Sequence, residues 1–452
     1  MAASQAPTPP STEPSDRPRQ IRDRLPPGGL FADLHWRIAL DPFPLPPPLA
    51  REIESLGRVL LQFYRAANLL YRRSIAGKAP DWVARWLDQG KPPELIAWQR
   101  DPAFRNEVPR VIRPDLLLTD NGLAITELDS VPGGIGLTTW LYQAYRETAP
   151  ADAPPFLGSD HAMREGFAGI FGAAPRVHLV ISEESATYRP EMEWLAAQLD
   201  PDRFHVRPQD FRNWQDGDAV YRFFELFDLP NVPAAAPAFQ AARDGHLTLT
   251  PPPKPLFEEK LLLALLWNRH LRDFWRQELG EAFLQRLLRL VPYSWALDPT
   301  PIPPHAAIPE LGLTDWHQLK ALSQRDRDLI LKISGYSDQA WGARGVFLGS
   351  DLSSADWSVA VDQALANWPR APHVLQRYHK PALTQTAWFD FDHATPVPMP
   401  GRVRLSPYYF VVGDRDAARP HLGGVLATLC PADKKIIHGM RDAVLAPCTV
   451  AP

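Results

Sequence analysis

Residues 111 to 136 read VIRPDLLLTDNGLAITELDSVPGGIG. Apolar residues on either side of Asp120-Asn121-Gly122 predict two strands joined by a tight turn, and Gly122 suits the left-handed third position of a three-residue loop. Centring the hairpin on Asn121 sets Asp115 opposite Glu127 and Arg113 opposite Asp129. All four then leave one face of the ribbon. A bulge at Gly122 would shift the pairing slightly and leave the carboxylates clustered. Opposed carboxylates repel unless a cation lies between them, so on that pairing alone Glu127→Gln should relieve repulsion. Arg113 is one candidate cation. A divalent ion is a second, since magnesium takes one or two carboxylates together with substrate phosphates. A solvated charged face is the plain structural alternative. The adjoining VPGGIG keeps the backbone open beside this face.

Outward from the hairpin, the chain alternates strands and helices. Ile53, Leu56, Leu60, Phe63, Tyr64, Ala67, Leu70 and Tyr71 recur every three or four residues, the pattern of a long amphipathic helix from Pro48 onward. GLTTWLYQAYRETA and YRPEMEWLAAQLD read as helices, and RVHLVIS and DAVYRFFELFDL as strands, so an α/β region is expected over 28–250. Helices come next over 257–297. After Arg327 strands return in DLILKIS, GVFLGS, HVLQRY, TAWFDF and RVRLSPYYFVV. Three prolines in TLTPPPKP suggest a stiff boundary near 250, with a second region over 251–452. Residues 1–27 are rich in Pro, Ser and Thr and read as a disordered tail.

Composition excludes several classes. The 452 residues are 45% apolar and 22% charged, as for a globular chain of two or three packed domains. A formal charge of −4 argues against a nucleic-acid binder held by phosphate contacts. No apolar run is long enough to suggest a membrane span, and the N-terminus lacks the apolar core of a secretory signal. Cys430 and Cys448 form no zinc or disulfide pattern, which fits a reducing cytoplasm.

A second constellation lies in LILKISGYSDQAWGARGVFLGS. Lys332 sits on a strand, and a loop carrying Gly335, Gly342 and Gly345 comes after it. It is no Walker A motif, because there is no GxxxxGK[ST] and no helix after the loop. A flap folding over phosphates above Lys332 is one reading; an ordinary glycine-containing hairpin is the other. Lys260, in FEEKLLLALLW, is a further candidate basic contact.

Together these segments resemble the ATP-grasp ligases, in the circularly permuted branch that includes glutathionylspermidine synthase. RPD and ELDSVP match that branch's carboxylate hairpin, EKLLLALLWNRH its lysine segment, LKISGYSDQAWGARG its lysine strand and glycine loop, and VLQRY its glutamine strand. The resemblance spans roughly residues 105–430. It implies an α/β (α+β) fold with mixed and antiparallel sheets and flanking helices, in which the lysine strands come after the carboxylates instead of before them. It implies that Asp115, Glu127 and Asp129 hold Mg2+ bridging the phosphates of ATP. Lys260, Lys332 and the loop glycines would contact the phosphates, and Gln376 and Tyr378 would line the adenine pocket. Arg113 would steady developing charge, with Arg404 or its neighbour Arg402 in GRVRLSPYY as a later arginine. Asp129 stands where the branch usually carries Asn, and the loop lacks the branch's Arg-Glu-Gly. The implied chemistry activates a carboxylate as an acyl phosphate for attack by an amine. Two alternatives are a non-catalytic nucleotide-binding scaffold of the same fold and a phosphotransferase.

Overall fold

The structure is a computed structural model that describes residues 17–32, 35–303, 306–340, 344–414, 417–437 and 441–452. Its helices and three sheets make a mixed α/β architecture. The largest sheet has eight strands. Its main path runs Arg37–Ile38, Val444–Val450, Arg419–Pro431, Thr395–Val412, Val111–Thr119 and Gly122–Asp129, with Thr384–Asp390 and Phe43–Leu45 pairing off that path. A four-stranded parallel sheet orders Phe204–Pro208, Val177–Ile181, Asp218–Phe223 and Leu247–Thr250. A four-stranded antiparallel sheet orders Val346–Leu348, Leu329–Ile333, His373–Arg377 and Ser294–Ala296.

The long amphipathic helix spans Pro47–Ile75, with proline in its first turn, where the missing N–H costs nothing. Its apolar stripe is the one read from the sequence: Ile53, Leu56, Leu60, Phe63, Tyr64, Ala67, Leu70 and Tyr71 are all buried. The stripe packs on the back of the large sheet. Gly57 lies against the Tyr409 ring, where a Cβ would come within 2.6 Å, and the Tyr409 hydroxyl donates to the Ile53 carbonyl at 2.5 Å. Each fully buried large apolar side chain here contributes about 1.5–3 kcal/mol.

The large sheet draws strands from both sides of residue 250, so the division into 28–250 and 251–452 does not describe it. The three prolines 251–253 are buried, not an exposed connector. Next to them Lys254 Nζ donates to Asn68 Oδ1 (2.9 Å) and to the carbonyls of Arg105 (3.3 Å) and Glu107 (3.0 Å). The tail reading also needs correction from residue 17 on. Arg17–Arg22 is helical with Ile21 fully buried. Arg17 donates to Asp41 Oδ1 (3.0 Å) and the Tyr145 carbonyl (3.1 Å), and it stacks over the Tyr145 ring. Pro18 is buried beside Ile21, and Arg19 and Arg22 lie over the Phe389 and Phe391 rings, so the segment is anchored despite its composition. Residues 1–16 lie outside the described residues.

Candidate active site

The hairpin strands pair as expected where it matters: Arg113 faces Asp129 and Asp115 faces Glu127. The route to that register differs. Thr119 already pairs with Gly122, so the loop proper is only Asp120-Asn121, and Gly122 has φ +106°. The missing residue returns as a bulge at Thr126, because Leu116 pairs with Ile125 while Asp115 pairs with Glu127. Without the bulge Glu127 would leave the opposite face of the ribbon. The bulge also frees backbone groups: the Thr126 carbonyl accepts from Lys332 Nζ at 3.1 Å.

Arg113 answers most of the hairpin's charge. Its guanidinium lies 2.8 Å from Asp129 Oδ2 and 3.3 Å from Asp115 Oδ1, and it donates to the Gly133 carbonyl at 3.0 Å. Burial opposes its charge, but Asp115 and Asp129 together raise its pKa well above the ordinary value. Asp129 is raised by burial, against Arg113, with Glu127 adding repulsion, and it accepts from the Val131 N–H at 2.9 Å. Arg404, from the strand beside the hairpin, reaches Asp115 Oδ2 at 3.1 Å, and the Ser406 hydroxyl donates to Oδ1 at 3.1 Å.

The lysines arrive from the other elements. Lys260 directly precedes the helix Leu261–Trp267. Its Nζ lies 2.6 Å from Glu127 Oε1 and donates to the Ala340 carbonyl of the glycine loop at 2.9 Å. Burial opposes its charge, and Glu127, with Glu225 and Glu259 adding to it, raises its pKa above the ordinary value. Lys332 stands on Leu329–Ile333, an inner strand of the four-stranded antiparallel sheet (the lysine sheet), and also donates to Gln376 Oε1 at 3.0 Å, while Gln376 Nε2 donates to Ser294 Oγ at 2.9 Å. Burial lowers the Lys332 pKa to about 8; Glu127 opposes this and Lys260 reinforces it.

One cavity of about 280 Å³ gathers these groups. Arg113, Asp115, Glu127, Asp129, Lys260, Lys332, Gln376, Tyr378 and Arg404 all line it. Gly335 and Gly345 do not, and Gly342 lies outside the described residues. Gly335 serves packing instead: a Cβ there would lie 2.4 Å from the Glu258 carbonyl. Gly133 and Gly134 do line the cavity. A Cβ on Gly133 would enter the Tyr188 ring, and Gly134, at φ +83°, starts the helix Ile135–Glu147.

Ser406, Tyr408, Tyr188 and Glu225 line the same cavity and are absent from the residues expected from sequence. Ser406 and Tyr408 continue from Arg404 at strand spacing, a signal present in RVRLSPYYF. Tyr188 and Glu225 come from the parallel-sheet region and carried no local signal. Burial, then the neighbouring Glu258, holds Glu225 well above the ordinary carboxylate range.

Among the described residues, no group of three or more His, Cys, Asp or Glu side chains is arranged to hold a metal ion. The carboxylates expected to form such a group are instead ion-paired, Asp115 and Asp129 to arginines and Glu127 to Lys260. This donor set does not fit a metal site built by protein alone. It fits magnesium shared with phosphate, which needs only one or two carboxylates. The Glu127 side chain, 38% exposed, is the most open of the three.

No known protein family and no curated protein matches this sequence. Solved structures do. The glutathione synthetase-like effector of Globodera pallida, in its apo form, is similar over 96% of each chain with a TM-score of 0.57 at 11% identity. A candidate gamma-glutamylcysteine synthetase from Methylobacillus flagellatus covers 88% of each chain with a TM-score of 0.39 and 13% identity. The chain therefore has a fold like that of the glutathione synthetase-like effector.

Proposed function

We propose that this chain is an ATP-dependent carboxylate–amine ligase of the ATP-grasp type, circularly permuted, with the carboxylate hairpin preceding the lysine sheet. One observation carries the reading: nine residues suited to phosphate, metal and nucleotide contacts line a single cavity between the hairpin and the lysine sheet. Lys260 and Lys332 act as point charges on the ATP phosphates. Gln376 holds Lys332 in place from the neighbouring strand, and Gln376 and Tyr378 border the adenine. Lys260, paired with Glu127 here, would be shared between that carboxylate and a phosphate, and Glu127 and Asp115 would hold the magnesium that neutralises phosphate charge. Arg404 and Arg113 steady the charge that develops as the substrate carboxylate is phosphorylated and then attacked by the amine. Such chemistry is mostly positioning and electrostatic stabilisation, which these side chains supply.

The test is a mass-spectrometric screen of acid and amine pairs with ATP and magnesium. ADP release and a condensed product, both requiring acid and amine together, support a ligase. A phosphorylated acid that accumulates over many turnovers, with no condensed product when amine is added, makes it a phosphotransferase. The ion-pairing of each hairpin carboxylate favours one second reading, a nucleotide-binding protein without turnover. Nucleotide binding with no ADP from any pair would select it.

A further inference from the structure

Below the glycine loop lies an ion pair that the proposed chemistry does not use. Lys91 sits between the helices Asp81–Asp88 and Pro93–Arg100, and its Nζ is 2.6 Å from Glu259 Oε1, with both side chains wholly inaccessible to solvent. The other Glu259 oxygen accepts from the Ser334 hydroxyl. Ser334 is the first residue of the glycine loop, and it also grips the backbone of Lys260 and Leu261. Its carbonyl accepts from Lys260 N at 2.9 Å, and its hydroxyl oxygen accepts from Leu261 N at 2.9 Å. Ser334 N in turn donates to the Pro372 carbonyl at 2.8 Å. The backbone of Lys260 and the root of the loop are thus one hydrogen-bonded unit, and Gly335 packs so closely on it that a Cβ would come within 2.4 Å of the Glu258 carbonyl oxygen.

A buried ion pair is a poor source of stability, because desolvating both ions offsets their attraction. Its attested use is to specify one arrangement over others. Here the arrangement specified is the root of the glycine loop relative to Lys260, whose Nζ meets the loop again at Ala340. We infer that Lys91 is a positioning residue for the nucleotide site, fixing Lys260 and the loop root through Glu259 and Ser334. This rests on the ligase reading for the identity of the nucleotide and on geometry alone for the coupling.

Two cuts test it. Lys91→Met combined with Glu259→Gln removes both charges and leaves none unpaired. Ser334→Ala keeps the ion pair and breaks its link to the loop. The readouts are ATP affinity with magnesium by calorimetry, and the rate of tryptic cleavage after Arg344, within the loop, without nucleotide. The expected result for both variants is at least tenfold weaker ATP binding and at least tenfold faster cleavage at Arg344, with cleavage elsewhere unchanged. Wild-type affinity and wild-type cleavage in both variants would overturn the inference. So would cleavage that rises equally at all sites with a falling melting temperature, which marks a merely structural pair. If the wild-type chain binds no ATP, the ligase reading fails, and the Arg344 cleavage rate alone decides the coupling.

Discussion

Glu127→Gln separates the site's electrostatics from those of a bare hairpin. Two carboxylates opposed across strands predict that removing one stabilises the protein. The structure reverses that sign, because Glu127 lies 2.6 Å from the buried Lys260. Stripping a partner from a fully buried pair costs about 3–5 kcal/mol, whereas an exposed pair contributes roughly 0–1 kcal/mol. The Glu127 side chain is 38% exposed against 7% for Lys260. Gln can still accept from the lysine, so the expected loss is about 1–2 kcal/mol. For a chain of this length that is a melting-point drop of about 1–2 °C. Turnover should suffer far more, roughly a hundredfold in ADP production, since a neutral amide holds magnesium more weakly than a carboxylate does. Thermal melts and ADP release, for wild type and variant with and without magnesium and ATP, measure both effects. A higher melting temperature would refute the Lys260 pairing, and wild-type turnover would remove Glu127 from the chemistry.

Three further outcomes rest on particular groups. Burial lowers the Lys332 pKa to about 8, so apparent ATP affinity should weaken about tenfold per pH unit above about 8, with no such slope in Lys332→Ala; calorimetry across pH 7 to 10 checks this. Burial also lowers Lys254, to about 7. The unfolded chain therefore binds more protons between about 7 and 10.5, stability rises with pH across that window, and denaturant titrations of Lys254→Met should lose that part of the slope. Deleting residues 1–27 should lower the melting temperature, because it removes the buried Ile21 and the Arg17 contacts; an unchanged melt would mean the N-terminal helix adds nothing to the fold.

The hairpin's pairing was legible because two one-residue differences offset each other. The turn is one residue shorter than its sequence suggests, and the bulge at Thr126 restores the count. Bulges answer to tertiary demands, here the lysine that takes the Thr126 carbonyl, and leave no local signature. The apolar stripe of Pro47–Ile75 was legible because a 3.6-residue period is a local property. The large sheet was not, since it joins strands about 290 residues apart in sequence, such as Leu117 beside Arg404, and no period encodes that. The same distance hid the pairing of Arg404 with Asp115. Buried prolines at 251–253 imitate a linker because composition does not report burial. The carboxylates were legible as a cluster and Arg113 as a cation among them, but the pairing of Glu127 with Lys260 and of Asp115 with Arg404, from two other elements, was not.

If this cavity binds ATP through its buried lysines, calorimetric titration of ATP with magnesium into wild type and Lys332→Ala will register the loss of one of them. Lys332 donates to a backbone carbonyl and to Gln376, both neutral partners, so its charge is available to phosphate. The account predicts saturable binding to wild type and at least a tenfold loss in the variant, about 1.4 kcal/mol. Absence of ATP binding by the wild-type protein, or equal affinity in Lys332→Ala, would contradict it.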